Sequence, residues 1–242
     1  MDPAPHEKQV IRRIGKLLES SAGLSAALAT LNFSVNLGAH ISARPPPRLV
    51  TPAFISTASL TSLGQLLSDC RKTLRLTALI PLYLRLKSVR SSKTVNAADR
   101  WFLLAQYGAF AIFQGLENIC HLHAKGVLPP SLVNKRGGLT QWIRWSCRIW
   151  CLGLTIGLMR LWHNTWNPKS TDKPKTVEEK IVLDRKWWDE LKVVMCWLPV
   201  AINSSFYPEG VKFMNPRTVA TFSLLASWTN LAARWRATAV GQ

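Results

Sequence analysis

The sequence predicts an all-α fold: a membrane-associated helical bundle with amphipathic helices and one or two marginal hydrophobic spans. Three observations carry that expectation. Apolar residues recur at helical spacing between Pro- and Gly-rich breaks, at 43–52, 125–138, 167–180 and 207–217, and no segment alternates as a strand does. The chain of 242 residues has a formal charge of +18, from 31 Lys+Arg against 13 Asp+Glu, yet 48% of it is hydrophobic. It also carries 11 Trp, a residue that concentrates where apolar and aqueous phases meet. Charge of this size needs an anionic partner. The apolar content and the Trp count favour a lipid surface over nucleic acid, so an anionic phospholipid membrane is the expected partner and no nucleic acid is. One domain is expected over 1–242, with an amphipathic N-terminal part (1–92) and a hydrophobic helical part (96–236).

The first helix is expected over about His6–Ser20, with Val10, Ile11, Ile14, Leu17 and Leu18 on one face and Lys8, Arg12, Arg13 and Lys16 on the rest. A second follows over about Leu24–Ile41, with Leu24, Leu28, Leu31 and Val35 in line. The third contains "LTSLGQLLSDCRKTLRLTALIP", Leu60 to Pro81. Leu60, Leu63, Leu67, Cys70 and Leu74 form its stripe, Arg71, Lys72 and Arg75 flank it, and Pro81 is expected to end or kink it. Tyr83–Val89 continues beyond. The fourth, about Ala97–Ala124, is apolar nearly all round, as a helix buried in a bundle or in lipid would be. The fifth, about Leu139–Trp166, sets Arg144 and Arg148 among Trp142, Trp145 and Trp150. The sixth, about Val177–Phe206, starts acidic and is expected to kink at Pro199; the seventh covers about Pro216–Arg236.

Uncharged windows occur at Ser20–Ala43, Trp101–Leu116, Ile149–Met159, Val193–Tyr207 and Thr218–Ala233. Each is too short or too diluted by polar residues to match a confident span of about 20 apolar residues. No Gly-rich phosphate loop, GxSxG elbow or HExxH helix is present, so the chain is not expected to be an enzyme, and no cofactor is expected. "CHLH" at 120–123 lacks a second ligand pair, so no metal is expected. Five Cys, an odd number without a signal-peptide-like run, are expected as free thiols in a reducing compartment. Gly153 and Gly157 make a small-xxx-small pattern that lets two helix backbones approach.

The basic stripe at 60–80 has the make-up of an interfacial helix: an apolar face rimmed by Lys and Arg. Leu60, Leu63, Leu67, Leu74 and Ala78 are expected to enter lipid, and Arg71, Lys72 and Arg75 to contact headgroups. Trp142, Trp145 and Trp150, with Arg144 and Arg148, are expected to form a second interfacial anchor. Two other readings stay open at this point: a membrane pore or solute carrier built on the short uncharged windows, and an RNA-binding organellar protein.

Four segments, in order, resemble the peroxin-eleven family, membrane proteins that elongate and divide peroxisomes: "KLLESSAG" (16–23), "DCRKTLRLTALIPLYLRL" (69–86), "WSCRIWCLGLTIGL" (145–158), and "DRKWWDELKVVMCWLPVAINSSF" (184–206) followed by "VATFSLLASW" (219–228). After Gly23 most members carry a basic run, where this chain has the uncharged "LSAALATLNF", and in this it is similar to the divergent fungal-type members. The resemblance implies a non-enzymatic protein of the peroxisomal membrane whose amphipathic helix inserts into one leaflet. It also implies self-association, here assigned to Gly153 and Gly157, and recruitment of the dynamin-type fission machinery.

Overall fold

Pro and Gly punctuate the chain as the sequence suggests, but two helix boundaries fall elsewhere. A computed structural model describes residues 5–43, 56–93, 95–167, 176–210 and 214–239, with side chains from residue 9 onward. Among these residues there are helices α1 (Pro5–Glu19), α2 (Ser21–Ala43), α3 (Thr57–Leu74), α4 (Leu79–Ser91), α5 (Ala97–Ala124), α6 (Pro130–Asn134), α7 (Gly138–Trp166), α8 (Val177–Ser204) and α9 (Pro216–Ala237), and no strand. The third predicted helix breaks at a 3-10 turn, Arg75–Thr77, before Pro81 is reached. Pro81 instead lies in the first turn of α4, where its missing N–H costs no intrahelical bond. The other difference is α6, in a stretch read as a break; its Val133 is fully buried. Pro199, expected as a kink, lies inside α8, which continues on both sides of it. The uncharged windows lie mostly within helices, and no helix among the described residues is long and apolar enough to cross a membrane.

The chain divides into two compact units, residues 1–71 with 216–242, and residues 72–215. In the first, α2 packs along α9, and α1 packs on both. The α2–α9 seam is made of small side chains. Ala26, Ala29 and Thr30 are buried on α2, and Ala220, Ser223, Ala226 and Ser227 on α9, so the two backbones approach closely. The buried hydroxyls are satisfied within their own helices: Thr30 Oγ1 donates to the Ala26 carbonyl (3.0 Å) and Ser227 Oγ to the Ser223 carbonyl (2.8 Å). Leu31, part of the expected stripe, is 55% exposed. Arg13 of α1 closes the C-terminal end of α9. Its Nη2 donates to the Trp235 carbonyl (3.0 Å), its Nε to Thr238 Oγ1 (3.2 Å), and its guanidinium lies 4.2 Å from the Trp235 ring centroid. A cation there complements the helix dipole and the ring face together. The Arg71 end of α3 is tied to α2 by polar groups. With its amide oriented to suit both neighbours, Asn32 donates to the Gly64 carbonyl (2.8 Å) and accepts from Arg71 Nη1 (3.2 Å). The Arg71 guanidinium also lies 5.0 Å from the Phe33 ring centroid.

The second unit is built on α5 and α7, which pack antiparallel along their lengths, with α8 against α7 and α4 against α5. Asn96 caps α5, accepting from the Asp99 N–H (2.7 Å). Gly153 and Gly157 are buried on α7 where it meets α5: a Cβ on Gly153 would come within 2.7 Å of the Phe110 ring, and one on Gly157 would meet the Gln106 amide. Trp150 stacks on Phe113 of α5 (5.7 Å between centroids) and sits edge-on to Trp197 of α8 (5.4 Å). Arg160 pairs with Glu190 at 2.9 Å, holding α8 to α7. All five cysteines are free. Burial first, and the Glu117 carboxylate second, push the Cys120 and Cys147 thiols up to about 11; burial also raises those of Cys151 and Cys196. The thiolate is the nucleophile. A soluble alkylating agent at pH 8 should therefore modify the exposed Cys70 in the folded protein and reach Cys120 and Cys147 only after denaturation. Mass spectrometry of the labelled peptides checks this, and labelling of Cys147 at the rate of Cys70 would contradict it.

Candidate membrane-binding surface

The residues assigned to lipid from the sequence divide into two sets. On α3, helix geometry places Leu60, Gly64, Leu67 and Arg71 along one edge, and Leu63, Leu66, Cys70 and Leu74 along an edge rotated from it by about 85°. The first edge is the covered one: Gly64 and Arg71 are buried, and Leu60 and Leu67 half-buried. The second is open, with Leu63 at 44%, Leu66 at 66% and Leu74 at 43% exposure. The exposed apolar stripe is therefore rotated from the expected one. Leu63 and Leu74 stay on it, Leu66 joins it, and Leu60, Leu67 and the half-buried Ala78 leave it.

The expected headgroup residues are also divided. Arg71 is 8% exposed, held by Asn32 and Phe33, and its assignment to headgroups is corrected to a packing role. Arg75 is half-buried, its Nη1 donating to both Glu117 oxygens, at 2.8 and 3.1 Å. That pair ties the 3-10 turn to α5, where Asn118 Nδ2 also donates to the Leu76 carbonyl (3.4 Å) and Thr73 Oγ1 shares a hydrogen bond with His121 Nε2 (3.2 Å). Lys72 is half-buried.

The sequence carries the helix on through Tyr83–Val89, but its periodicity assigns α4 no open face. The apolar residues of α4 occupy two faces, so no single stripe stands out. Leu82, Leu86 and Val89 are half-buried on the side towards α5, where Arg85 also lies 6.0 Å from the Tyr107 ring centroid. On the other side Ile80 and Tyr83 are each 63% exposed and Leu84 is 57% exposed, with the exposed cations Lys87 and Arg90 beside them. Only the position of α5 tells which apolar face is free. A face of this kind, large apolar side chains with Lys and Arg at the same level, has the chemistry of the headgroup boundary of a bilayer.

The expected Trp anchor is not gathered at the surface. Trp142 is 5% exposed and is corrected to a core position; Trp150 is half-buried, its ring stacked on Phe113 and edge-on to Trp197. Trp145 and Arg148 are exposed, whereas Arg144 donates to the Tyr207 carbonyl and pairs with Glu209 (3.0 Å). Gly153 and Gly157 are used inside the chain, in the α5–α7 seam, and are corrected from self-association to internal packing. No group of three or more His, Cys, Asp or Glu converges to hold a metal among the described residues.

No curated protein and no solved structure matches the chain. The profile of the family described as Peroxisomal biogenesis factor 11 (PEX11) matches residues 50–195, more than half of its length. That span holds the exposed faces of α3 and α4 together with all of α5 and α7, and the resemblance read from the sequence holds: the chain belongs to the Peroxisomal biogenesis factor 11 (PEX11) family.

Proposed function

We propose that the protein remodels the peroxisomal membrane, promoting elongation, fission and proliferation of the organelle, by laying the exposed apolar face of α4 into one leaflet. The observation that carries this reading is the uncovered face of α4, Ile80, Tyr83 and Leu84 beside Lys87 and Arg90, within the span matched by a peroxisome biogenesis family. Large side chains at this exposure each gain about 1–2 kcal/mol when they leave water for the acyl boundary. Lys87 and Arg90 add about 1 kcal/mol each near an anionic surface, screened by salt. A helix seated at that depth takes up area in one leaflet alone, which bends the membrane. Its partners in this reading are anionic phospholipid, further copies of itself and the dynamin-type fission machinery. Because Gly153 and Gly157 are enclosed within one chain, self-association falls to other surfaces.

Giant vesicles test the reading. The full-length protein should draw tubules from vesicles containing anionic lipid, less so as salt is raised, and leave purely zwitterionic vesicles nearly round. Tubulation that ignores lipid charge, or none on anionic vesicles, would count against it.

A further inference from the structure

The second unit has another uncovered apolar region, at the opposite end of α7 from Trp142. Because α5 and α7 run antiparallel, the second turn of α5 meets the last turns of α7: Phe102 and His163 have ring centroids 5.4 Å apart. Around this contact Trp101, Trp162 and Trp166 are 64%, 67% and 70% exposed. An open groove of about 550 Å³ runs among them, lined by Phe102, Leu158, Met159, Trp162, His163 and Trp166. Three indoles in water at one corner of a bundle are a cost that burial elsewhere would remove, and core Trp of the same unit, such as Trp142, show what a covered indole looks like.

The charge at this corner identifies the cover. Residues 79–101, which form α4, the turn into α5 and the start of α5, carry Arg85, Lys87, Arg90, Lys93 and Arg100 against one acid, Asp99, which is buried. Arg100 folds this turn onto the helix, its Nη2 donating to the carbonyls of Ser92 (2.6 Å) and Val95 (3.2 Å), so Arg90 and Lys93 stay close to the start of α5. On α8, Glu190 is paired with Arg160, and the other acids, Glu178, Glu179, Asp184 and Asp189, are matched by Lys180, Arg185, Lys186 and Lys192 along the same helix. Exposed indoles beside uncompensated cations match the headgroup boundary of an anionic bilayer, where Trp sits with its ring in the apolar zone and its N–H in the wet one.

We propose that the corner formed by the α4–α5 turn and the C-terminal end of α7 docks on anionic lipid, with Trp101, Trp162 and Trp166 entering the headgroup boundary. This rests on the membrane-remodelling reading and adds a second attachment to it. Together with the open face of α4, it fixes how the second unit lies on the leaflet.

Flotation of the full-length protein with anionic vesicles tests it. W162A/W166A should bind about tenfold more weakly, and by the same factor at low and high salt, because the lost contact is apolar. K87Q/R90Q/K93Q should lose affinity chiefly at low salt. Both indoles are exposed, so the circular dichroism of the Ala variant should match wild type; W162F/W166F, which keeps an aromatic at each place, guards against a packing effect and should bind at an intermediate level. Lipids brominated near the carbonyl region should quench wild-type Trp fluorescence more than that of the Ala variant. Wild-type affinity and unchanged quenching in W162A/W166A would overturn the proposal. So would a change in oligomeric state by sedimentation with vesicle binding intact, which would assign the corner to a protein partner. Failure of the wild-type protein itself to float would remove the membrane reading along with this one.

Discussion

Gly153→Leu should destabilise the second unit by about 2 kcal/mol and lower its thermal midpoint, while Gly157→Ala leaves it nearly unchanged. The contrast follows from what each added Cβ would meet. At Gly153 it would lie 2.7 Å from Phe110 Cε1 and 2.9 Å from Cδ1, with the Ala109 Cβ at 3.4 Å. Phe110 is half-buried in the α5–α7 seam and has little room to retreat. Overpacking of that kind costs about 3 kcal/mol at the upper end of its usual range. Replacing Gly in a helix interior returns about 1 kcal/mol of backbone entropy, which leaves the net loss. At Gly157 the obstacle is the amide end of Gln106, a flexible side chain that can swing away, and the same entropy gain offsets the disturbance. Thermal unfolding followed by circular dichroism separates the two. If Gly153→Leu instead melts like wild type and only lowers the oligomeric state, the glycine serves contacts between copies rather than within the chain.

That glycine shows where the sequence stops informing. Gly153 and Gly157 announce a close helix approach in any reading, but the partner helix is invisible in their spacing, and here it is α5 of the same chain. The helical class was legible because Pro and Gly clusters divide the chain and the apolar residues between them keep helical spacing. Ala97–Ala124 was legible to the residue, since Asn96 is a strong cap and Gly126 terminates the apolar run at positive φ. The α2–α9 seam was not, because it uses Ala, Ser and Thr, and a search for large apolar residues follows Leu31 to the exposed side. Arg71 misled for a related reason. An arginine beside a Leu stripe reads as a headgroup contact, yet a buried Asn32 and the Phe33 ring on another helix give it a partner inside the protein. The open face of α4 was hidden by the covered one on the same short helix.

Ile80→Asp with Leu84→Asp should abolish membrane deformation while leaving the protein folded and abundant. Both side chains are more than half exposed, 63% and 57%, so little packing is lost, and surface changes of this kind usually cost within about 0.5 kcal/mol. In lipid the balance is different. A carboxylate held at bilayer depth costs about 2–3 kcal/mol even on permissive scales, and less near the interface. Two of them, with the apolar gain of the native pair also lost, outweigh what Lys87 and Arg90 contribute together. Vesicle tubulation by the purified variant should then fail. In cells, peroxisomes should be fewer and larger at normal protein level, counted by microscopy beside an immunoblot. Val133→Asp provides the contrast. Val133 is fully buried, so an unpaired charge there costs several kcal/mol against a total stability of about 5–15, and the protein itself should disappear. If the Ile80/Leu84 variant disappears in the same way, the face of α4 is covered by protein in the cell. If it stays abundant and still divides peroxisomes, the leaflet is bent by some other surface of the chain.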